Sequence, residues 1–143
     1  MGFYDDPKYG VQQRMTLLGR ANQTSVIASR TEADRRTMME AVTIKDWNIK
    51  YVVGDTTTGT SANHNAWKIC LGYSLAGTGA FTAIGTAYCG TAGQATGSIQ
   101  DGSVTETNLS AGDDIVLAYE AGTALPAGVL RVESDVQYVE RYT

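Results

Sequence analysis

The chain has 143 residues, which suits one domain and leaves no room for a second of ordinary size. Its 43% apolar and 18% charged content excludes a wholly disordered chain. The net charge of −4 is unevenly divided: residues 1–50 have eight basic and six acidic side chains, and residues 51–143 have three basic and nine acidic ones. The acidic second part argues against a nucleic-acid partner, although such a charge also serves solubility.

Neither a secretion signal nor a membrane helix is expected. Charged residues interrupt positions 5 to 8, no run of about 7 to 15 apolar residues follows, and no stretch approaches the ~20 apolar residues of a membrane span. We therefore predict a soluble protein made in the cytoplasm, with no membrane partner. The two cysteines, Cys70 and Cys89, are too few for a disulfide framework or a zinc site, so we interpret both as buried side chains and predict no disulfide between them.

Residues 1–36 show neither a sustained alternation nor a helical period, and their apolar residues are scattered among polar ones. A segment of this kind cannot build its own core. We therefore predict an extended N-terminal arm over residues 1–36 that lies on another surface, ahead of a domain over residues 37–143. The sequence Thr31-Glu32-Ala33-Asp34 resembles a helix N-cap and is compatible with one or two helical turns through about Met39.

From residue 37 onward the pattern is that of β-strands. The alternation of residues 42–44 continues one residue out of phase over residues 47–53, which predicts a β-bulge near Lys45 and Asp46. Residues 66–74 and 81–88 predict a hairpin around the turn at residues 77–79, with Cys70 opposite about residue 84. Two further strands are predicted near residues 115–119 and 130–138, and the last of these is long and amphipathic enough to lie inside a sheet.

Six to eight short strands with polar turns between them predict an all-β fold, an antiparallel β-sandwich or jelly roll with at most one short helix. Trp47 and Trp67 both fall within strand alternations, so we expect them to pack in the core. The alternative, in which they form stacking platforms for sugars, would require both indole rings to be exposed.

Catalytic and cofactor-binding patterns are missing from the sequence. His64 is the single histidine and lies in a polar loop without a second histidine or a cysteine nearby, so we expect neither a metal nor a base function there. Asp113 and Asp114 lack the spacing of a calcium loop; we expect Asp113 to close a turn and Asp114 to be solvated at the start of a strand. The glycine-rich runs lack the spacing of phosphate-binding loops. We predict a protein that is not an enzyme and needs no cofactor.

Four segments resemble the head decoration, or cement, proteins of tailed bacteriophages. The resemblance extends over about residues 37–141, and its motifs are strand and turn patterns at 51–60 (YVVGDTTTGT), 75–79 (LAGTG), 111–117 (AGDDIVL) and 122–128 (GTALPAG). It implies a jelly-roll body that assembles as a homotrimer on the capsid exterior, where it bridges major capsid proteins and stabilises the head.

The N-terminal segment matches this family less well, so the mode of binding is a separate hypothesis. Because aromatic residues and arginine are enriched at interfaces, we expect the capsid contacts to be Phe3, Tyr4, Tyr9, Arg14 and Arg20. Three alternatives remain open at this point: a tail or baseplate β-sandwich adaptor, a carbohydrate-binding module, and an enzyme whose carboxylates flank a cleft.

Overall fold

The computed structural model describes residues 9–23, 30–53, 67–88, 96–121 and 128–141. Every regular element in these ranges is a β-strand. In chain order the strands are β1 (Tyr9–Gln23), β2 (Thr31–Thr37), β3 (Val42–Val53), β4 (Trp67–Ser74), β5 (Thr82–Tyr88), β6 (Ile99–Val104), β7 (Thr107–Leu109), β8 (Asp114–Ala121) and β9 (Gly128–Arg141).

The strand pairing is that of a jelly roll. The first half of the chain pairs antiparallel with the second half, as β1 with β9, β2 with β8, β3 with β6 and β4 with β5. Rolling up this doubled chain also places β9 beside β3 and β8 beside β4. Two four-stranded layers result, a front sheet in the order β1-β9-β3-β6 and a back sheet in the order β2-β8-β4-β5, while β7 pairs with β3. The predicted antiparallel jelly-roll class is thereby confirmed.

The two sheets are joined along both sides. On one side β5 and β6 share a short ladder, in which Gly85 is opposite Val104 and Thr86 is opposite Ser103. On the other side β1 and β2 are bridged by side chains: the Leu18 N–H donates to Asp34 Oδ2 at 2.9 Å, and Arg36 Nη2 donates to the Thr16 carbonyl oxygen at 3.2 Å. These contacts occupy backbone groups of β1 that would otherwise be open to another strand.

The core lies between the sheets and contains side chains from both halves of the chain. Its fully buried large members include Leu17, Ile44, Trp47, Ile49, Tyr51, Ile69, Leu71, Leu109, Ile115 and Leu117. The register of β3 against β9 shifts between Ile44 and Asp46, which confirms the predicted bulge and explains the change of phase in the alternation. The last strand lies inside the front sheet, between β1 and β3, as predicted.

The N-terminal segment differs from its predicted local structure. Residues 9–23 form β1 and residues 31–37 form β2, so the description of this part as an arm lying outside the body is corrected. On β1 the inward positions include the partly buried Met15, the fully buried Leu17 and the buried Gly19, and this mixture of sizes hides the alternation. The predicted helical turns after Thr31 are wrong, because β2 satisfies its backbone hydrogen bonds by pairing with β8. That residues 1–36 contact a partner while residues 37–143 form the body stays a prediction.

Asp113 closes a turn, as predicted. Its backbone N–H donates to the Ser110 carbonyl at 3.1 Å. Its buried carboxylate also accepts the backbone N–H groups of Ser110 at 2.9 Å and of Ala76 at 3.0 Å, so it ties the 110–113 turn to the β4–β5 turn. Asp114 differs from the prediction, since it is ion-paired with Arg35.

Cys70 is buried, as predicted, and lies opposite Thr86, two residues from the expected position 84. A register shift after Leu71 contributes to that difference. Cys89 lies outside the described residues, so the absence of a disulfide stays a prediction.

Candidate functional site

The five predicted contact residues do not form one compact site. Phe3 and Tyr4 lie outside the described residues. Tyr9 and Arg20 belong to β1, where they are opposite Arg141 and Arg131 of β9, and their side chains are not among those described. Arg14 is 68% exposed and its Nη1 lies 3.5 Å from Asp135 Oδ2. Because a strand rises about 3.4 Å per residue, Tyr9 and Arg20 are separated by roughly 37 Å along the edge of the front sheet.

One end of the jelly roll has an open cavity of about 220 Å³ lined by methionines, which we call the methionine end. Met38 is buried, Met15 is partly buried, and Met39 is 83% exposed beside the opening. Polar groups surround the three methionines, namely Arg36, Thr37, Glu40, Tyr138 and Glu140. Methionine adapts its shape to an irregular surface, so this end combines an apolar contact with a charged rim. It also lies near the start of β1, since Tyr9 is opposite Arg141.

The outer surface of the front sheet is open, and we call it the front face. It bears three exposed apolar side chains, Leu18 of β1, Val52 of β3 and Ile99 of β6, which are 58%, 38% and 69% exposed. Two shallow depressions of about 410 and 390 Å³ meet at Glu133, one reaching Ile99 and the other reaching Leu18 and Val52. Apolar side chains are thus interleaved with charged ones across all four strands.

The outer surface of the back sheet is covered in comparison. Cys70, Val116 and Ala118 point away from the central core and are at most 2% exposed. Phe81 lies against Gly72, and the guanidinium carbon of Arg30 is 4.1 Å from the centre of the Phe81 ring, within range of a cation–π contact. Across their central strands, the front sheet is therefore more accessible than the back sheet.

A charged cluster ties β2 to the start of β8. Arg35 Nη1 is 2.5 Å from Asp114 Oδ2, Arg35 Nε is 2.5 Å from Glu32 Oε1, and the Thr37 hydroxyl donates to Asp114 Oδ1 at 2.6 Å. The Thr37 hydrogen bond, followed by the Arg35 guanidinium, lowers the pKa of Asp114 below its ordinary value, and the Glu32 and Asp114 carboxylates raise the pKa of Arg35. Each charged group in this cluster has a partner of opposite charge within the cluster, so the cluster stabilises the contact between β2 and β8.

We expect the Asp114→Asn variant to lose less stability on acidification than the unmodified chain. A carboxyl group whose pKa is lower in the folded state stabilises the fold above its unfolded pKa of about 3.9, and that contribution is lost as the pH falls through the folded value. Thermal unfolding between pH 7 and pH 2 measures this, with Asp101→Asn as the matched control at an aspartate that has no ion pair in the described structure. Equal acid sensitivity of the unmodified chain and Asp114→Asn would contradict the assignment.

The remaining sequence predictions about chemistry have mixed outcomes. Trp47 is fully buried and confirmed as a core residue, whereas the side chain of Trp67 and the whole of His64 lie outside the described part. Within the described ranges no three His, Cys, Asp or Glu side chains are grouped as metal ligands would be. The described part also has no helix long and apolar enough to cross a bilayer.

Sequence reasoning missed both the methionine end and the front face. The methionines are close in space because Met15 lies on β1, beside β9, and the β2–β3 connection that contains Met38 and Met39 lies against these two strands. No local sequence period indicates this proximity. For the front face the sequence gives no clear signal, since Leu18 lies in a segment without a sustained alternation and Ile99 lies in a stretch rich in glycine and small polar residues.

No protein-family model and no curated protein matches this chain. Among solved structures, it resembles a chain from the acidic stable capsid structure of Helicobacter pylori bacteriophage KHP30, at 10% identity, 93% coverage of this chain, 99% of the other and a TM-score of 0.47. A chain from the capsid asymmetric unit of cyanophage Pam1 follows, at 16% identity, 90% and 86% coverage and a TM-score of 0.43. The Eiger TNF of S. frugiperda has 13% identity, 93% and 92% coverage and a TM-score of 0.42.

The structural neighbours therefore include phage capsid chains and a TNF. Likeness at this level does not carry a function, because one fold hosts many unrelated functions.

Proposed function

We propose that this chain is a virion structural protein, a decoration or cement protein that binds the exterior of a phage capsid and bridges major capsid proteins. It is made in the host cytoplasm, assembles as a homotrimer, and has no catalytic activity or cofactor. The proposed role needs a contact surface and no catalytic site. The observation that carries the proposal is the methionine end, where an open cavity lined by methionines and polar groups, together with the exposed Met39, adjoins the start of β1.

The methionine end suits a large protein partner. The cavity is open and shallow, and its rim bears Arg36, Glu40 and Glu140, so an apolar side chain of a partner can enter while polar groups pair around it. Residues 1–8 join β1 near this end, so Phe3 and Tyr4 are at most about 22 Å of extended chain from Tyr9. Together, the cavity and this segment are the proposed capsid contact.

A deletion that tests this contact must leave β1 in place. Removing residues 2–30 would delete β1 together with Leu17, which is fully buried in the core, so that truncation would unfold the body. The informative truncation removes residues 2–8 only, and the informative substitution is Met39→Asp. Both leave the described strands intact.

We expect both variants to lose binding to capsids of the phage that encodes the chain, prepared without this protein, as measured by co-sedimentation and electron microscopy of the shells. Met39→Leu and Ile99→Asp serve as controls, since Ile99 is 69% exposed and lies opposite Lys50, eight residues along β3 from Val42 of the methionine end. Full occupancy of the shells by both test variants would overturn the proposed contact. Binding of the unmodified chain to tails or baseplates instead of shells would favour the adaptor and overturn the decoration function.

A further inference from the structure

The front face has a defined order of side chains across its four strands. Leu18 is opposite Glu133, Glu133 is opposite Lys50, and Lys50 is opposite Ile99. One row across the sheet therefore reads apolar, acidic, basic, apolar. Lys50 and Glu133 are both exposed, and neither makes an ion pair within the described structure.

This row is complementary to itself. Rotating a second copy by 180° about an axis in the plane of contact, parallel to the strands, places its β6 over β1 and its β3 over β9. Leu18 then faces Ile99 of the other copy, and Glu133 faces the other copy's Lys50, so apolar side chains meet at both flanks and opposite charges meet at the centre. An axis perpendicular to the strands would instead place Glu133 against Glu133 and Lys50 against Lys50, which is repulsive.

The neighbouring residues agree with the first arrangement. In the adjoining row Thr16, Asp135, Asn48 and Asp101 follow one another across the strands, so Asp135 faces the amide of Asn48 and Asp101 faces the hydroxyl of Thr16. Neither contact brings two carboxylates together. The chain as a whole has a net charge of −4, so two copies repel each other overall and a contact between them needs local charge complementarity.

We propose that the front face binds a second copy of this chain about a two-fold axis parallel to the strands, with reciprocal Lys50–Glu133 pairs at its centre and Leu18–Ile99 contacts at its flanks. Four strands at about 4.8 Å spacing and seven residues at about 3.4 Å give a projected area of roughly 450 Å² per copy, near the lower limit of specific interfaces. The contact is therefore weak and concentration-dependent. It is independent of the capsid function, and trimers in which these two-fold axes are perpendicular to the three-fold axis would pair through it into hexamers.

Sedimentation velocity over a range of concentrations tests this contact. We expect the unmodified chain to double its mass reversibly, from monomer to dimer or from trimer to hexamer, with a weaker association at high salt. Lys50→Glu and Glu133→Lys should each weaken the association constant by about tenfold or more, because each places like charges against each other between copies. Leu18→Asp should also weaken it, whereas Leu75→Asp, on a turn of the other sheet, should not.

Mixing the two charge variants provides the decisive measurement. Each variant repels itself, but in a mixed pair the glutamate introduced at position 50 faces the lysine introduced at position 133, and the native Glu133 faces the native Lys50. We expect a 1:1 mixture to associate as the unmodified chain does. Within each variant chain, positions 50 and 133 still carry like charges next to each other, and mixing does not change this. Restored association in the mixture therefore identifies a contact between copies. A mixture that associates no better than either variant alone, or an unmodified chain that never doubles its mass up to ~0.5 mM, would overturn the proposal.

Discussion

Replacing Trp47 by alanine is expected to lower the free energy of unfolding by about 3 to 5 kcal/mol, the range for removing a large buried aromatic side chain. Trp47 is fully buried, lies on the central strand β3 of the front sheet, and packs against glycines of two other strands, Gly85 of β5 and Gly102 of β6. Since β5 and β6 join the two sheets along one side, the cavity left by the indole would form beside that junction. Urea unfolding followed by circular dichroism measures the loss.

Trp47→Phe is the matched variant, because it retains an aromatic ring and leaves a smaller cavity, and it should cost less than Trp47→Ala. Lys50→Ala, at an exposed position of the same strand with no ion pair in the described structure, should change stability by no more than about 0.5 kcal/mol. A loss below about 1 kcal/mol for Trp47→Ala would contradict a packed indole at this position.

Gly102→Ala is the second large expected effect, a loss of about 1 to 3 kcal/mol or more from overpacking. A Cβ atom at this position would meet Cε3 of Trp47, lie 2.6 Å from its Cδ2 and 3.0 Å from its carbonyl oxygen. The indole is fully buried and cannot move outward, so either the ring or the β6 backbone must shift. Thermal and urea unfolding of the variant measure this cost.

The double variant Trp47→Ala/Gly102→Ala separates overpacking from a general intolerance of alanine in β6. With the indole removed, the added methyl group enters the vacated space, so Gly102→Ala should cost much less in the Trp47→Ala background than alone. Equal costs in both backgrounds would assign the penalty to the backbone.

Much of the fold was predictable because it depends on neighbouring residues. The period-2 alternation identified the β class, the phase change at Lys45 and Asp46 identified the bulge, and the amphipathic last strand was correctly placed inside a sheet. Asp113 was also recognised from its turn, since a short carboxylate that accepts nearby backbone N–H groups is a local arrangement. In each case the residues that carry the signal lie within a few positions of one another along the chain.

Strand β1 in the N-terminal segment could not be predicted from neighbouring residues. Its inward positions mix Met15, Leu17 and Gly19, so the sequence lacks a clear alternation, yet β1 is a long strand because β9 is available to pair with it. Tyr9 and Arg141 are 132 positions apart in the chain and opposite each other in the sheet. Pairings at this separation depend on the topology of the whole chain, and local propensity yields to them.

The sequence by itself thus determined the β class, the main turns and bulge, and the absence of a recognisable catalytic motif, because alternation, turn chemistry and motif spacing are local properties. Only the tertiary structure decided which surfaces are available. The jelly-roll pairing groups Met15, Met38 and Met39 at one end, leaves the front sheet open while the back sheet is covered, and places Leu18, Glu133, Lys50 and Ile99 in one row. That row joins four strands from distant parts of the chain, and its order exists only once their registers are set.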